Sequence, residues 1–251
     1  MADLKKAVST ARDLGGRFAL TLNAPFYMDE QIPLAVALAR QAVDIGVAAL
    51  IVADPGLIVS LREKGIKIPM HLSTMGLAAN ALAVRMYRDM GVERVILPRF
   101  LNLDQISALV AADPDMDYEA FILVGKCPHI EGICTFNHDS PDQRWPCEWE
   151  WDLTSEAGDS PPRSVLGHFS GIRNNDRRDG CGLCALPALK AAGVSTFKIV
   201  GRGAPVKRKL QLVGQLARLL SEVPERADET WLERCMESYR ELFGHGCCEH
   251  N

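Results

Sequence analysis

The residues best placed to do chemistry are cysteines. Cys127 and Cys134 are separated by six residues just after an apolar run. Cys147 follows after twelve more and Cys181 after a further thirty-three, just ahead of a helical pattern. Four thiolates converging on one loop region can hold a 4Fe–4S cluster, because soft sulfur ligands match iron–sulfur chemistry. Structural zinc competes for the same ligands, but its cysteines usually pair about two to four residues apart. Cys181-Gly182-Leu183-Cys184 alone has that spacing, and its partner pair is missing. Plain buried thiols are the third possibility. His129 and His138 could tune a cluster by hydrogen bonding to sulfur or simply face solvent. Trp145, Trp149 and Trp151 flank Cys147 and would shield a cluster from water, with base stacking the alternative. The tail containing Cys247-Cys248 reads as a frayed end, since adjacent cysteines are awkward ligands for one ion.

Positioning these groups requires a scaffold, and the chain reads as alternating helices and strands. Leu4, Ala7, Val8, Ala11 and Leu14 recur at helical spacing before the strand-like run 18–23. Ile32, Val36, Ala39 and Val43 form one helical face that stops at Gly46, and the apolar run 47–53 closes on Asp54-Pro55-Gly56. The rhythm continues with a strand over 70–74, a helix over 78–90, a strand over 95–99, a helix over 103–112 opened by an Asn102/Gln105 capping box, and a strand over 118–124. Downstream, a helix over 183–192 precedes a strand over 196–200. Pro205–Leu220 and Glu229–Phe243 read as amphipathic helices, with Trp231, Leu232, Cys235, Met236, Tyr239 and Phe243 as the buried stripe of the second.

Near-continuous apolar strands alternating with helices imply a parallel sheet covered by helices. A doubly wound sheet would show a Gly-rich phosphate turn after its first strand, and Asn23-Ala24-Pro25-Phe26 is not one. A TIM-type (β/α) barrel carries polar residues at the C-terminal ends of its strands, and here those ends hold Asn23, Asp54, Ser73-Thr74, Arg99, Lys126-Cys127 and Arg202. The expected fold is therefore an α/β TIM-type barrel, incomplete at about six strands. Residues 1–220 form the barrel domain, with 127–181 as a Cys-rich insertion, and 221–251 form a C-terminal helix and tail.

The 251 residues are 47% hydrophobic and 24% charged, ordinary globular values that exclude a disordered or collagen-like chain. A net charge of −4 makes no case for a nucleic-acid surface at the level of composition. The basic run Lys207-Arg208-Lys209 reads most simply as a solvated helix end. No apolar run approaches the roughly eighteen residues of a membrane span. The N-terminal residues Met1-Ala2-Asp3-Leu4-Lys5-Lys6 lead into no apolar segment, so the expected location is cytoplasmic, where clustered cysteines ligate metal or do redox work sooner than form disulfides.

Several motifs occur in a telling order: Thr21-Leu22-Asn23, Ala53-Asp54-Pro55-Gly56, His71-Leu72-Ser73-Thr74, Arg94-Val95-Ile96-Leu97-Pro98-Arg99, Cys127 and Cys134, then Lys198-Ile199-Val200-Gly201-Arg202. In this set, from about residue 3 to about residue 220, the chain resembles the collagenase-like peptidase family U-32. The resemblance implies a TIM-type barrel and, in some branches, a 4Fe–4S cluster on four cysteines. Those branches hydroxylate ubiquinone precursors, a tRNA uridine or an rRNA cytidine without molecular oxygen, with prephenate as the oxygen donor. It also implies that the fourth ligand stands six residues before a proline, which selects Cys181, with Pro187 as marker, over Cys184. The chain departs from the family at several points. Two further strands expected at the start do not precede Ala2, so an in-frame segment upstream of Met1 is one expectation. The family's Gln and Asn after the His-x-Ser-Thr strand are Met75 and Leu77, although Asn80 fits. Val200 replaces a Glu, and Val124-Gly125 replaces His-Gly.

Arg99 and Arg202 end strands, where each could fork a carboxylate such as that of prephenate, or pin a loop. His71, Arg99 and Arg202 are the catalytic candidates; Asn23, Asp54, Asn80 and Lys198 are the substrate-binding candidates. Asn23 and Asp54 could equally cap the loops that follow them. The expected activity is an iron–sulfur hydroxylase-like enzyme acting on a small aromatic or a nucleobase, with RNA as a further possible partner. A cluster-bearing structural or electron-transfer subunit of a homo- or hetero-oligomer is the alternative, because missing strands would leave sheet edges to be paired. A peptidase comes third, with no Ser/His/Asp or His-Glu-x-x-His motif to support it.

Overall fold

A computed structural model describes residues 1–123, 131–132, 181–201 and 204–244. Its elements run α1 (Ala2–Asp13), β1 (Ala19–Leu22), α2 (Ile32–Ile45), β2 (Ala49–Val52), α3 (Pro55–Glu63), β3 (Met70–Leu72), α4 (Ala81–Asp89), β4 (Arg94–Ile96), α5 (Leu103–Ala112) and β5 (Asp117–Leu123). After the next described residues come α6 (Leu186–Ala192), β6 (Thr196–Ile199), α7 (Val206–Ser221) and α8 (Glu229–Phe243). The strands form one sheet in sequential order from β1 to β6, and β1 through β5 pair in parallel. Sequential order with helices in the connections is the arrangement of an incomplete α/β barrel. A doubly wound sheet reverses its strand order. Among the described residues, no helix is long and apolar enough to cross a membrane.

The chain divides into two compact units, Met1–Glu119 with Glu131–Ile133, and Ala120–Ile130 with Cys134–Asn251, so the division falls within β5. In the first unit Leu50, Val52, Met70, Leu72, Val95 and Tyr118 are fully buried, as are Leu57, Ile58 and Leu61 of α3 and Val84 of α4. The alternation along β3 is clear: Met70 and Leu72 are buried while His71 between them is half-buried. Successive residues of a strand face opposite sides, so one face of the sheet is apolar and the other carries His71. In the second unit Leu183, Leu186, Leu212, Trp231, Cys235 and Tyr239 form the buried set.

Tyr118 shows how burial sets a titration in the first core. Its hydroxyl donates to the carbonyls of Asp113 at 3.1 Å and Leu109 at 3.4 Å. Burial, then the nearby Asp113 carboxylate, pushes its pKa up from 10.0 to about 12, with Arg88 opposing. The folded state therefore holds the phenol proton more tightly than the unfolded chain. The stability linked to it is complete below pH 10 and is lost as pH rises towards 12. Tyr118→Phe should cost about 1 kcal/mol at neutral pH and make the alkaline decline shallower. Urea unfolding at neutral and alkaline pH tests this, and an unchanged alkaline decline in the variant would clear Tyr118 as its source.

Candidate functional site

The polar face of the first unit is set by register. Thr21, Ile51, His71, Arg94 and Asp117 are successive Cα partners across β1 to β5 and so share one side of the sheet. Arg94 lies 2.6 Å from Asp117 Oδ2 through its guanidinium and 3.5 Å from Glu119 Oε2, with Glu119 buried. Two carboxylates on one strand face would repel each other in low dielectric, and the guanidinium between them offsets that. Arg94 and Glu119 were not among the candidates read from sequence. The available signal was a charged residue opening an otherwise apolar strand.

At the ends of these strands the candidates meet the backbone. Asp54 caps α3: its Oδ1 accepts from Leu57 N–H at 2.6 Å and its Oδ2 from Tyr27 N–H at 3.3 Å. Asn80 caps α4 by accepting from Ala83 N–H at 3.0 Å. These bonds satisfy donors that helix starts leave open. Asn23 Nδ2 donates to Ser73 Oγ at 3.1 Å, and Ser73 Oγ accepts from Met75 N–H at 3.3 Å. The hydroxyl of Tyr87 donates to Gly76 O at 2.9 Å. Burial first, with the Asp54 charge adding to it, raises the pKa of both Tyr27 and Tyr87 above the ordinary phenol value. A backbone bond to Ala24 opposes the rise at Tyr27.

Arg99 stands just beyond β4, and its fork is taken. Glu131 accepts from the Arg99 backbone N–H at 2.7 Å and from its Nε at 2.8 Å, with the second guanidinium nitrogen 2.7 Å away. Glu131 is only 3% exposed. A substrate carboxylate at Arg99 would have to displace this buried one. Next to it, a Cβ on Gly132 would come within 2.7 Å of Leu77 Cβ and 3.0 Å of Met75 O, and Gly132 has φ +80. Leu77 itself has φ 52, the left-handed region that costs a residue with a Cβ about 1–2 kcal/mol. Sequence reasoning did not single out Glu131, because a carboxylate in a cysteine-rich stretch carries no periodic signal.

In the second unit, Cys181 forms an antiparallel bridge with Leu123, the last residue of β5, and Gly182 N–H donates to Ile122 O at 2.7 Å. Val200 N–H donates to the Leu123 carbonyl at 3.1 Å. Cys181 and Cys184 are partly exposed thiols, whereas Cys235 is buried in α8. The Cys184 carbonyl accepts from the Trp231 indole N–H at 3.4 Å. Lys198 Nζ lies 5.5 Å from the centre of the Phe121 ring, a cation–π contact. Cys127, Cys134, Cys147 and Arg202 lie outside the described residues, as do His129, His138, the three tryptophans around Cys147 and Cys247-Cys248. Among the described residues no three His, Cys, Asp or Glu side chains gather as a metal site.

The model of Peptidase family U32 matches residues 1–250. The chain belongs to family U32. Among its U32 relatives, the tRNA hydroxylation protein P of Haemophilus influenzae is 31% identical over 174 residues, covering 64% of this chain and 37% of that protein. The protein P of Escherichia coli is 32% identical over 159 residues, covering 60% and 35%. The 23S rRNA 5-hydroxycytidine C2501 synthase of Escherichia coli is 30% identical over 235 residues, covering 91% and 34%. The chain thus spans about a third of the length of these relatives. As a U32 chain it places Leu77, where the family resemblance expects Asn, in the left-handed conformation that Asn tolerates better than Leu.

Proposed function

We propose that this U32 chain is a hydroxylating iron–sulfur enzyme acting on RNA. Cys127, Cys134, Cys147 and Cys181 are its cluster ligands, and prephenate is the proposed oxygen donor. One observation carries the cluster reading: the bridge between Cys181 and Leu123 holds the fourth cysteine at the end of the strand that Cys127 follows four residues later in sequence. A partly exposed thiol held by backbone pairing suits a metal ligand better than a core position. The donor set fits, since four thiolates match a 4Fe–4S cluster, which when bound would supply a redox-active iron site.

The chain's own residues would bind and orient the acceptor. His71 and Asn23 of the first unit are retained as substrate contacts. Asp54 and Asn80 serve their helices, and Arg99 serves Glu131. RNA is favoured over a free small aromatic because the relatives are named for tRNA and rRNA products. The test is nucleoside mass spectrometry of RNA from cells lacking the chain. A hydroxylated pyrimidine should disappear and return with the wild type but not with Cys181→Ala. An unchanged RNA profile would return the acceptor to the small-molecule class.

The subunit reading keeps one specific support. Among the described residues β1 pairs only with β2, leaving its other edge open to a further strand from a partner. A native mass above that of one chain in the iron-loaded protein is the result that reading requires.

A further inference from the structure

We infer that Arg99, Glu131 and the Met75–Leu77 turn form a latch on residues 131–132, which stand in sequence between Cys127 and Cys134, making Arg99 a positioning residue and not an anion-binding one. The inference rests on the reading of those two cysteines as ligands, but its geometry stands apart from any metal. Glu131 lies four residues after Cys127 and three before Cys134. Its carboxylate is buried and accepts three donors from one residue: the Arg99 backbone N–H, Nε and a terminal guanidinium nitrogen, all at 2.7–2.8 Å. A buried carboxylate with these bonds is costly to pull out, because leaving would strand a charged partner.

The neighbouring residue is fixed independently. Gly132 sits so close to Leu77 and Met75 O that no side chain fits, and its positive φ favours glycine. Leu77 on the opposing side is itself in the left-handed region. A strained backbone of this kind persists only where its surroundings over-determine it. The two anchors, one ionic and one steric, act on adjacent residues.

A fixed point in the middle of a six-residue spacer restricts both flanking cysteines through the chain itself, since a residue spans at most about 3.6 Å. Ligands held in advance lose less freedom on binding metal, so the latch should slow loss of iron. A role confined to global stability would lower the unfolding midpoint without changing local exchange at residues 131–132.

The experiment uses the full chain reconstituted anaerobically with iron and sulfide, as wild type, Glu131→Gln and Arg99→Lys. Amide hydrogen exchange, iron release to a ferrous chelator and far-UV circular dichroism are followed together. Glu131→Gln should keep the native spectrum, speed exchange at Glu131 and Gly132, and release iron at least about tenfold faster. Arg99→Lys, which keeps the charge but loses the fork, should fall between it and wild type. Exchange and iron release equal to wild type in both folded variants would overturn the latch. If neither variant folds, the wild type decides: slow exchange of the Arg99 amide supports the latch and rapid exchange ends it. Failure of the wild type to take up iron would strike the cluster reading alone, with the exchange data still judging the latch.

Discussion

Cys181→Ala should abolish iron binding in anaerobically reconstituted protein, while Cys184→Ala should leave it in place. The wild type should hold about four irons and four sulfides per chain, and Cys127→Ala, Cys134→Ala and Cys147→Ala should each lose them. The contrast between two cysteines only three positions apart follows from what holds each. Cys181 is bridged to the end of β5, with Gly182 adding a second backbone bond to Ile122. Cys184 sits in the 3-10 turn Leu183–Ala185, whose carbonyl side is turned to the indole of Trp231. Cys235, buried in α8, is the internal control and should be indifferent. Retention of iron in Cys181→Ala with loss in Cys184→Ala would reverse the ligand assignment. Zinc in place of iron, or no metal in properly reconstituted wild type, would remove the hydroxylase reading.

Local signals made most of the scaffold readable. The helix over 103–112 has the expected bounds because Asn102 and Gln105 satisfy each other's backbone donors in a capping box. Gly46 and Gly193 end their helices in the left-handed conformation at φ 94 and 104, which a Cβ would oppose. Asp54-Pro55-Gly56 reads as a turn, yet it opens α3, with Asp54 as N-cap and Pro55 in the first turn. Proline and a capping carboxylate serve a turn and a helix start equally well, and only the apolar spacing of Leu57, Ile58 and Leu61 separates the two. The site was less legible. Arg99 reads from sequence as a ligand fork or a loop pin, and nothing local separates the two, because its partner is thirty-two positions away in a stretch without periodicity. Tertiary pairing of that kind leaves no mark in either chain segment alone.

The C-terminal helix shows the same limit at the level of one residue. The apolar stripe read from sequence included Leu232 and Met236, but both are exposed, at 41% and 45%. The buried face is Trp231, Cys235, Ser238, Tyr239 and Leu242, rotated by one position and with a serine in it. Spacing allows either stripe; both share Cys235, Tyr239 and the largest buried side chain of the helix, Trp231. Its indole is 2% exposed, its N–H donates to the Cys184 carbonyl, and its backbone N–H is capped by Asp228 at 2.7 Å. Trp231→Ala should therefore cost about 3–5 kcal/mol, through the lost transfer of a large ring and the cavity it leaves. Against a total of about 5–15 kcal/mol for a domain, that is enough to threaten the fold of the second unit. Trp231→Phe keeps most of the buried ring and gives up the N–H, so it should cost only about 1 kcal/mol. Urea unfolding of the three proteins measures the difference, with equal slopes required for a fair comparison. If alanine costs no more than phenylalanine, the helix is held elsewhere and the Cys184 turn does not depend on it. If the full loss appears, the turn that follows Cys181 by one residue is braced by Trp231, and iron should also leave Trp231→Ala faster than it leaves Trp231→Phe.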